Sequence, residues 1–430
     1  MMNIKNKKQH FTICLISLLC LFCLNVAAQK SLISSLNEAV IPIQTTEADS
    51  SFGDLQKLDK VLAGKRIVAL GEATHGTKEF FTVKERMIKY LITVQGFRTI
   101  VFEADFAGTF VMNDYVLYNK GTAKEGLSKM TLGIYYTKEF LDLVEWVRNY
   151  NLTKPIGDRV RFYGCDMQFA FNSGEILKEK LTQLGISLSP QALKGLDFIS
   201  SWAYTKPNKE TLPLLESLKT ELLTSIAGDN PSKRSVDHQI INAVIQTVDY
   251  AKAAPLLYNL SIVCDKYMAD NISWIYEHEN RNKTIVWAHN LHIAKDKTLN
   301  DNLPMGYYLN EKFGLGYYAM GFGFNSGYLG GWNSQQKKSV IYTIPDVQLK
   351  NSSDFVFAQL SAPNFIIDFG TASSNPVIKQ FLNTKVYSRA IGGSYIEKEH
   401  AEGKGTYQML NKMYDAIIFI RNTTASIPLN

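Results

Sequence analysis

Val68-Ala69-Leu70-Gly71-Glu72-Ala73-Thr74-His75-Gly76-Thr77-Lys78-Glu79-Phe80-Phe81 is the stretch whose reading decides the fold. It continues the β-branched apolar run Arg66-Ile67-Val68-Ala69-Leu70, which stops at Gly71. A polar loop with Glu72 and His75 follows, and then an apolar-periodic segment from about Lys78 to Val94 that spaces as a helix. A buried strand running through a short polar loop into a helix puts that loop at the carboxyl end of a sheet, where α/β proteins place their sites. A carboxylate orients an imidazole and raises its basicity, so the imidazole takes a proton from water near neutral pH. The plainer reading is a capping loop, with Thr74 or Thr77 as the cap and His75 on the surface.

Working outward, the same pattern returns. Arg98-Thr99-Ile100-Val101-Phe102-Glu103 is an apolar strand ending in an acid, with Asp105 in the same turn. Val160 to Asp166 repeats it, and Thr284-Ile285-Val286-Trp287-Ala288 ends at His289-Asn290-Leu291-His292. Helical segments alternate with these strands: Lys78 to Val94, Asn113 to Gly121, Glu139 to Asn151 and, after Pro304, Met305 to Phe313. A polar, helical lead-in is expected over Ser31 to Ser50 and a short helix over Gly53 to Leu62. Later strands are expected at Tyr317 to Phe322, Asn364 to Phe369, Tyr387 to Ile391 and Ala416 to Ile420, with Gly327, Gly330 and Gly331 marking a tight turn or hairpin. Alternation of helix and strand predicts an α/β fold, a mainly parallel central sheet with covering helices. Between Ser173 and His278 long helical periodicity, punctuated by prolines, replaces the β-branched blocks. That predicts an inserted helical subdomain or lid over 173–278, dividing an α/β core of 29–172 and 279–430. Trp202, Tyr204, Tyr250 and Tyr258 in the insertion read as core residues or as the lining of an apolar pocket.

The chain has 430 residues, 46% hydrophobic and 20% charged, an ordinary globular composition. Residues 1–28 differ: Lys5, Lys7 and Lys8 precede an apolar run from Phe11 to Val26, and Val26-Ala27-Ala28 is a small-residue cleavage site. This reads as a secretory signal peptide with Gln29 as the mature start, which implies export to the periplasm or medium and no stable membrane insertion after cleavage. Beyond it 43 basic residues face 40 acidic ones. So small a surplus, with no basic cluster among aromatics, gives no footprint for nucleic acid. Cys165 and Cys264 form no C-x-x-C; they are candidates for pairing, or Cys165 is a buried thiol.

If the strands are neighbours, one pocket collects His75, His289, His292, Glu72, Glu103 and Asp166. Asp105 stands beside it, and Lys84 and Arg86, one and a half to two turns into the helix, point back to hold an anionic group. His238, His278 and His400 read as surface residues. Three uses of the set compete. His75 activates water while a second imidazole stabilises the oxyanion or protonates the leaving alcohol. Alternatively the imidazoles and carboxylates ligate zinc or a similar ion, or the cleft binds without chemistry. A serine nucleophile is disfavoured, since no G-x-S-x-G occurs, and no nucleotide-binding glycine loop follows a strand.

The motifs Gly71 to Phe81, Val101 to Asp105, Tyr163 to Gln168, Trp287 to His292 and Met305 to Leu309 resemble those of the erythromycin esterase family, in that family's order. So do R-A-I-G-G-S-Y (Arg389 to Tyr395) and Y-D-A-I-I-F-I (Tyr414 to Ile420). The resemblance spans Leu55 to Ile420. It implies a carboxylic-ester hydrolase that opens a macrolide lactone by attack of water, an antibiotic-resistance activity, with neither metal nor cofactor and a small-molecule ester as partner. It implies His75 as general base, Glu72 as its acid, and His289 and His292 as the second motif's histidines. Lys84 falls where some members carry arginine, and a point charge is not a bidentate fork. The alternatives to this reading are a metal-dependent hydrolase of another substrate and a non-catalytic, envelope-associated binding protein.

Overall fold

A computed structural model describes residues 27 and 29–429, apart from 131–132, 169–170, 202–204, 255–259, 299–300, 334–335, 337, 393–394 and 396–404. The expected signal segment (but for Ala27), Trp202, Tyr204, Tyr258 and His400 lie outside the described residues. The strands are β1 (Ile41–Pro42), β2 (Ile67–Leu70), β3 (Thr99–Asp105), β4 (Arg161–Asp166), β5 (Thr284–Trp287), β6 (Tyr317–Asn333), β7 (Lys338–Ile344), β8 (Asn364–Asp368), β9 (Lys385–Ser388), β10 (Thr406–Met409) and β11 (Ala416–Thr423). The central sheet runs β1-β8-β11-β6-β2-β5-β3-β4, with β7 paired to β6; β9 and β10 form a separate ribbon. From β11 to β4 every neighbouring pair is parallel, while β8, β1 and β7 join antiparallel.

Each central strand is buried on both faces, which is why it reads as an unbroken apolar run. In β2, Ile67 and Ala69 face one apolar cluster and Val68 and Leu70 the other. The first cluster is shared with the helices Phe171–Gln183, Pro190–Ile199, Leu212–Ser225, Val236–Ala253 and Leu260–His278; the second holds Lys78–Thr93 and Lys138–Leu152. The sheet therefore sits between two helical layers, and the helices after β4 are continuous with its core. Tyr250 is buried in that layer and donates its hydroxyl to Gln168 at 3.1 Å.

Several local expectations differ from the structure. The lead-in helix stops at residue 39, because Ile41–Pro42 pairs with β8 as an edge strand, a place where proline's missing N–H costs no ladder bond. The helix expected from Asn113 begins at Thr109 and ends at Tyr118, where Asn119 takes a left-handed φ of 56°. Of the turn or hairpin expected at Gly327, Gly330 and Gly331 the hairpin is present: all three lie in β6, paired antiparallel with β7, and not in a turn themselves. Cys165 and Cys264 do not pair; both are free and buried, which is the buried-thiol reading of Cys165. Among the described residues no helix is long and apolar enough to cross a membrane.

Candidate active site

Register brings the site together. Leu70 pairs with Trp287, and Trp287 with Phe102, so β2, β5 and β3 reach the same level side by side. The residues just past that level are Glu72, His289 and Glu103. β5 lies between β2 and β3 although it begins only at Thr284, far beyond the ends of both at Leu70 and Asp105. The strand ends therefore meet through a topology that spacing in the sequence does not reveal.

Glu72 is the hub and is fully buried. Its Oε1 accepts the Nδ1–H of His75 at 2.6 Å. Its Oε2 accepts from the Lys84 ammonium and, at 2.9 Å, from the Trp287 indole N–H. Lys84 is also fully buried, and its Nζ lies 4.1 Å from the centroid of the Trp287 ring. Burial alone lifts the Glu72 carboxyl, but Lys84 and His75 outweigh it and hold that carboxyl well below the carboxylate range. Burial lowers the Lys84 ammonium to about 8, with Glu72 opposing. Thr77 occupies the helix N-cap position without a side-chain cap bond; its hydroxyl meets that of Thr74 instead. The loop is pinned from both sides. A Cβ at Gly71 meets Asn290 Oδ1 at 2.2 Å, and one at Gly76 meets the Gly330 carbonyl oxygen at 1.7 Å.

The three histidines stand in a row, with ring centroids 5.1 Å apart for His75 and His289 and 6.5 Å for His289 and His292. Their surroundings make them chemically different. Burial disfavours a charged His75, but the hydrogen bond and charge of Glu72 prevail and raise it above the ordinary imidazole value. With Nδ1–H held by Glu72, its basic nitrogen is Nε2. His289 is the opposite case: burial, then repulsion from His75 and His292, lowers it to about 3. Its Nδ1 accepts the Leu291 N–H at 3.3 Å, so the ring proton sits on Nε2, which interacts with the Ile391 backbone carbonyl but closes no hydrogen bond of ordinary geometry among the described residues. His292 has carboxylates on both nitrogens, Asp265 at 2.7 Å and Glu103 at 3.4 Å. Despite burial, Asp265 and Glu103 raise it to about 10, so it is a standing cation.

Glu103 ties this group to the sheet, its Oε2 accepting the His289 backbone N–H at 2.8 Å. Asp166 and Asp105 face the helical layer. Asp166 accepts the N–H groups of Met167 and Gln168, and Asp105 accepts from Gly108 N–H and from the Ser173 hydroxyl at 2.8 Å. Burial pushes Asp105 to about 7 and, with help from Glu103, Asp166 to about 6. Arg86 points away from the histidines. It is buried and pairs with Asp54, with further bonds to the carbonyls of Thr45 and Ser51. Lys84, Arg86, Asp105 and Asp166, expected to bind substrate, thus all have partners within the protein: Glu72 for Lys84, Asp54 for Arg86, Ser173 for Asp105 and the N–H groups of Met167 and Gln168 for Asp166.

Asp265 is the residue that sequence reasoning missed. It comes from the Leu260–His278 helix, is buried, and receives the Met305 N–H at 2.8 Å as well as His292. Nothing distinguishes one aspartate on an amphipathic helix before the fold places it. Among the described residues no group of three His, Cys, Asp or Glu side chains is disposed to hold a metal ion. The physical reason is visible: His292 is held by Asp265 and Glu103, His75 Nδ1 by Glu72, Glu72 also by Lys84 and Trp287, and Glu103 also by the His289 backbone N–H.

Residues 92–423 match the family model described as erythromycin esterase. That range takes in Glu103, Asp265, His289 and His292 and begins after Glu72, His75 and Lys84. The chain is 26% identical over 349 residues to erythromycin esterase type II of Escherichia coli, covering 73% of this chain and 82% of that one. It is 24% identical over 422 residues to the putative hydrolase YbfO of Bacillus subtilis (strain 168), covering 90% of each. Among solved structures it superposes on a succinoglycan biosynthesis protein with TM-score 0.78 and 24% identity, over 93% of this chain and 99% of that one. An erythromycin esterase mutant in its open conformation superposes with TM-score 0.65 and 15% identity, over 88% and 96%. The last two are likenesses of fold.

Proposed function

The chain belongs to the erythromycin esterase family, and from that premise we propose that it is a carboxylic-ester hydrolase that opens a macrolide-type lactone with water activated by His75. Family membership supports hydrolytic chemistry. The observation that carries the finer reading is the His75–Glu72 contact of 2.6 Å, which leaves His75 Nε2 as the basic nitrogen beside a neutral His289.

The steps follow from the protonation states. His75 Nε2 takes a proton from water as the water oxygen bonds to the ester carbonyl carbon. Glu72 stabilises the imidazolium that forms, and the His289 Nε2–H donates to the developing oxyanion. The tetrahedral intermediate collapses, the carbon–oxygen bond to the alcohol breaks, and the leaving alkoxide recovers the proton from His75. His289 does not serve as the base, because its pKa is too low and its Nδ1 is occupied. His292 has no nitrogen to spare; it is a positioning residue that fixes Glu103, which in turn fixes the His289 backbone.

The mechanism predicts a pH dependence. His75 must be neutral to act, and its pKa is raised, so kcat/KM climbs with pH along a limb above the ordinary imidazole value of 6.5. Replacing Glu72 and Lys84 together, as Glu72→Gln with Lys84→Met, leaves no lone buried charge. Glu72 contributes more to His75 than Lys84 does, so the limb moves to lower pH while the plateau rate falls. A kcat/KM profile of the double variant with its limb unmoved contradicts the pairing.

The N-terminal segment supports a second part of the proposal, export with cleavage after Ala28. Intact-mass measurement of protein from the periplasm or medium is expected to give a chain starting at Gln29. Full-length protein retained with the membrane overturns it.

A further inference from the structure

Arg389 opens the stretch Arg389 to Tyr395, and no residue of that stretch enters the reaction steps above. Its side chain is 1% exposed, among the largest that the fold buries completely. Its guanidinium donates through Nη1 to the Asn325 carbonyl of β6 and through Nη2, at 3.1 Å, to the Pro345 carbonyl just past β7. Its backbone N–H donates to Asp354 of the Ser353–Phe357 helix at 2.7 Å. One residue earlier, the Ser388 hydroxyl meets that of Ser353 at 2.9 Å. Burying a guanidinium is expensive, and this one is spent on two carbonyls that a single ammonium could not reach together.

Two residues on stands Ile391, fully buried. Its N–H donates to the Ala73 carbonyl at 2.6 Å, between Glu72 and His75 in the loop that holds the base. Its own carbonyl faces His289 Nε2. Ile391 therefore bridges the two loops whose imidazole rings lie 5.1 Å apart. A carbonyl can only accept, so its place opposite Nε2 favours the tautomer with the proton there. It closes no ordinary hydrogen bond, which leaves the Nε2–H free to turn to an oxyanion, the stronger acceptor. From Arg389 to Ile391 the chain spans at most about 7 Å, so whatever fixes the guanidinium fixes this bridge.

We infer that Arg389 is a positioning residue: its two-carbonyl grip sets the Ile391 backbone, and through it the His75 loop and the proton-bearing nitrogen of His289. The effect on rate rests on the ester-hydrolase reading; the effect on His289 does not. No bond to Arg389 or Ile391 forms or breaks in the reaction.

The test is Arg389→Lys, which keeps the charge and loses the grip. It is assayed on p-nitrophenyl acetate, and the His289 tautomer is read by long-range nitrogen–proton NMR of protein labelled at histidine nitrogen, with His289→Asn identifying the signal. The unchanged protein is expected to hold the proton on Nε2. In Arg389→Lys the proton is expected to be shared between the two nitrogens, with kcat lower by about ten- to a hundredfold, the cost of a small misplacement, and KM changed less than threefold. Should Arg389→Lys not fold, Ile391→Pro takes its place: it deletes the N–H that holds Ala73 and leaves the arginine alone, and the same two changes are expected. A kcat within twofold of the unchanged protein overturns the inference. So does a lowered kcat with the His289 tautomer unmoved, since the arginine then only supports the fold, or an Nδ1 proton in the unchanged protein. If the unchanged protein hydrolyses no ester, the hydrolase reading fails, and the tautomer still decides whether Arg389 sets His289.

Discussion

His75→Asn is expected to lower kcat for ester hydrolysis by about 10²–10⁴, the contribution of a positioned general base. Asparagine still presents an N–H to Glu72, so the loop keeps its buried contact while the basic nitrogen is gone. The fold is expected to survive, with the unfolding transition close to that of the unchanged protein. Residual activity within about tenfold contradicts the assignment, because another group then takes the proton. His289→Asn is expected to act differently. It removes a donor and not the base, so it lowers the rate and leaves the acid limb of the pH profile in place.

The second large effect concerns stability. Lys84→Met leaves Glu72 buried with no compensating ammonium, and breaking one side of a buried ion pair costs about 3–5 kcal/mol. Urea unfolding measures it as a fall in the midpoint at constant slope. Adding Glu72→Gln removes the stranded charge and is expected to restore most of that loss, yet not the activity, since His75 has lost its carboxylate. A Lys84→Met protein as stable as its parent means that Glu72 becomes protonated or reaches another donor, and the hub described above is wrong. The pair is a device for holding one carboxylate ionised in a dry place; Trp287 adds both an indole N–H and an aromatic face for the ammonium.

The parallel core was legible because its strands are buried on both faces and end abruptly in acids or histidines. Val68 to Leu70, Ile100 to Phe102 and Ile285 to Trp287 announce themselves as apolar runs, and Glu72, Glu103 and His289 mark where they stop. What spacing withheld was adjacency. The insertion of β5 between β2 and β3 makes Glu72 and His289 neighbours, and local sequence carries no record of which strands pair. Arg86 shows the same limit from the other side. Two residues after Lys84 on one helix, it lies on a different face and belongs to Asp54 near the N-terminal segment. Asp105 and Asp166 look like Glu72 in the sequence, but Asp105 holds the helical layer through Ser173, and Asp166 is taken by the N–H groups of Met167 and Gln168 in its own turn. Asp265 carries no signal at all: it is an aspartate in a helical pattern and acquires meaning only when the fold brings His292 to it.

The differentiation of the three histidines is likewise a product of the fold. His289 and His292 sit three residues apart in one short motif, yet one is pushed down to about 3 and the other up to about 10. Desolvation acts on both. The difference is that Asp265 and Glu103 bracket His292, while His289 faces two other imidazoles. A base, a neutral donor and a fixed cation follow from one residue type in three settings.

The most direct test of the central claim is mass spectrometry of erythromycin, related macrolides and a simple activated ester after incubation with the chain beginning at Gln29. The account predicts addition of one water to a macrolide, abolished in His75→Asn. Hydrolysis of the simple ester alone, still dependent on His75, keeps the chemistry and removes the macrolide as substrate. Hydrolysis that persists undiminished in His75→Asn, or none of any ester by the unchanged protein, contradicts it.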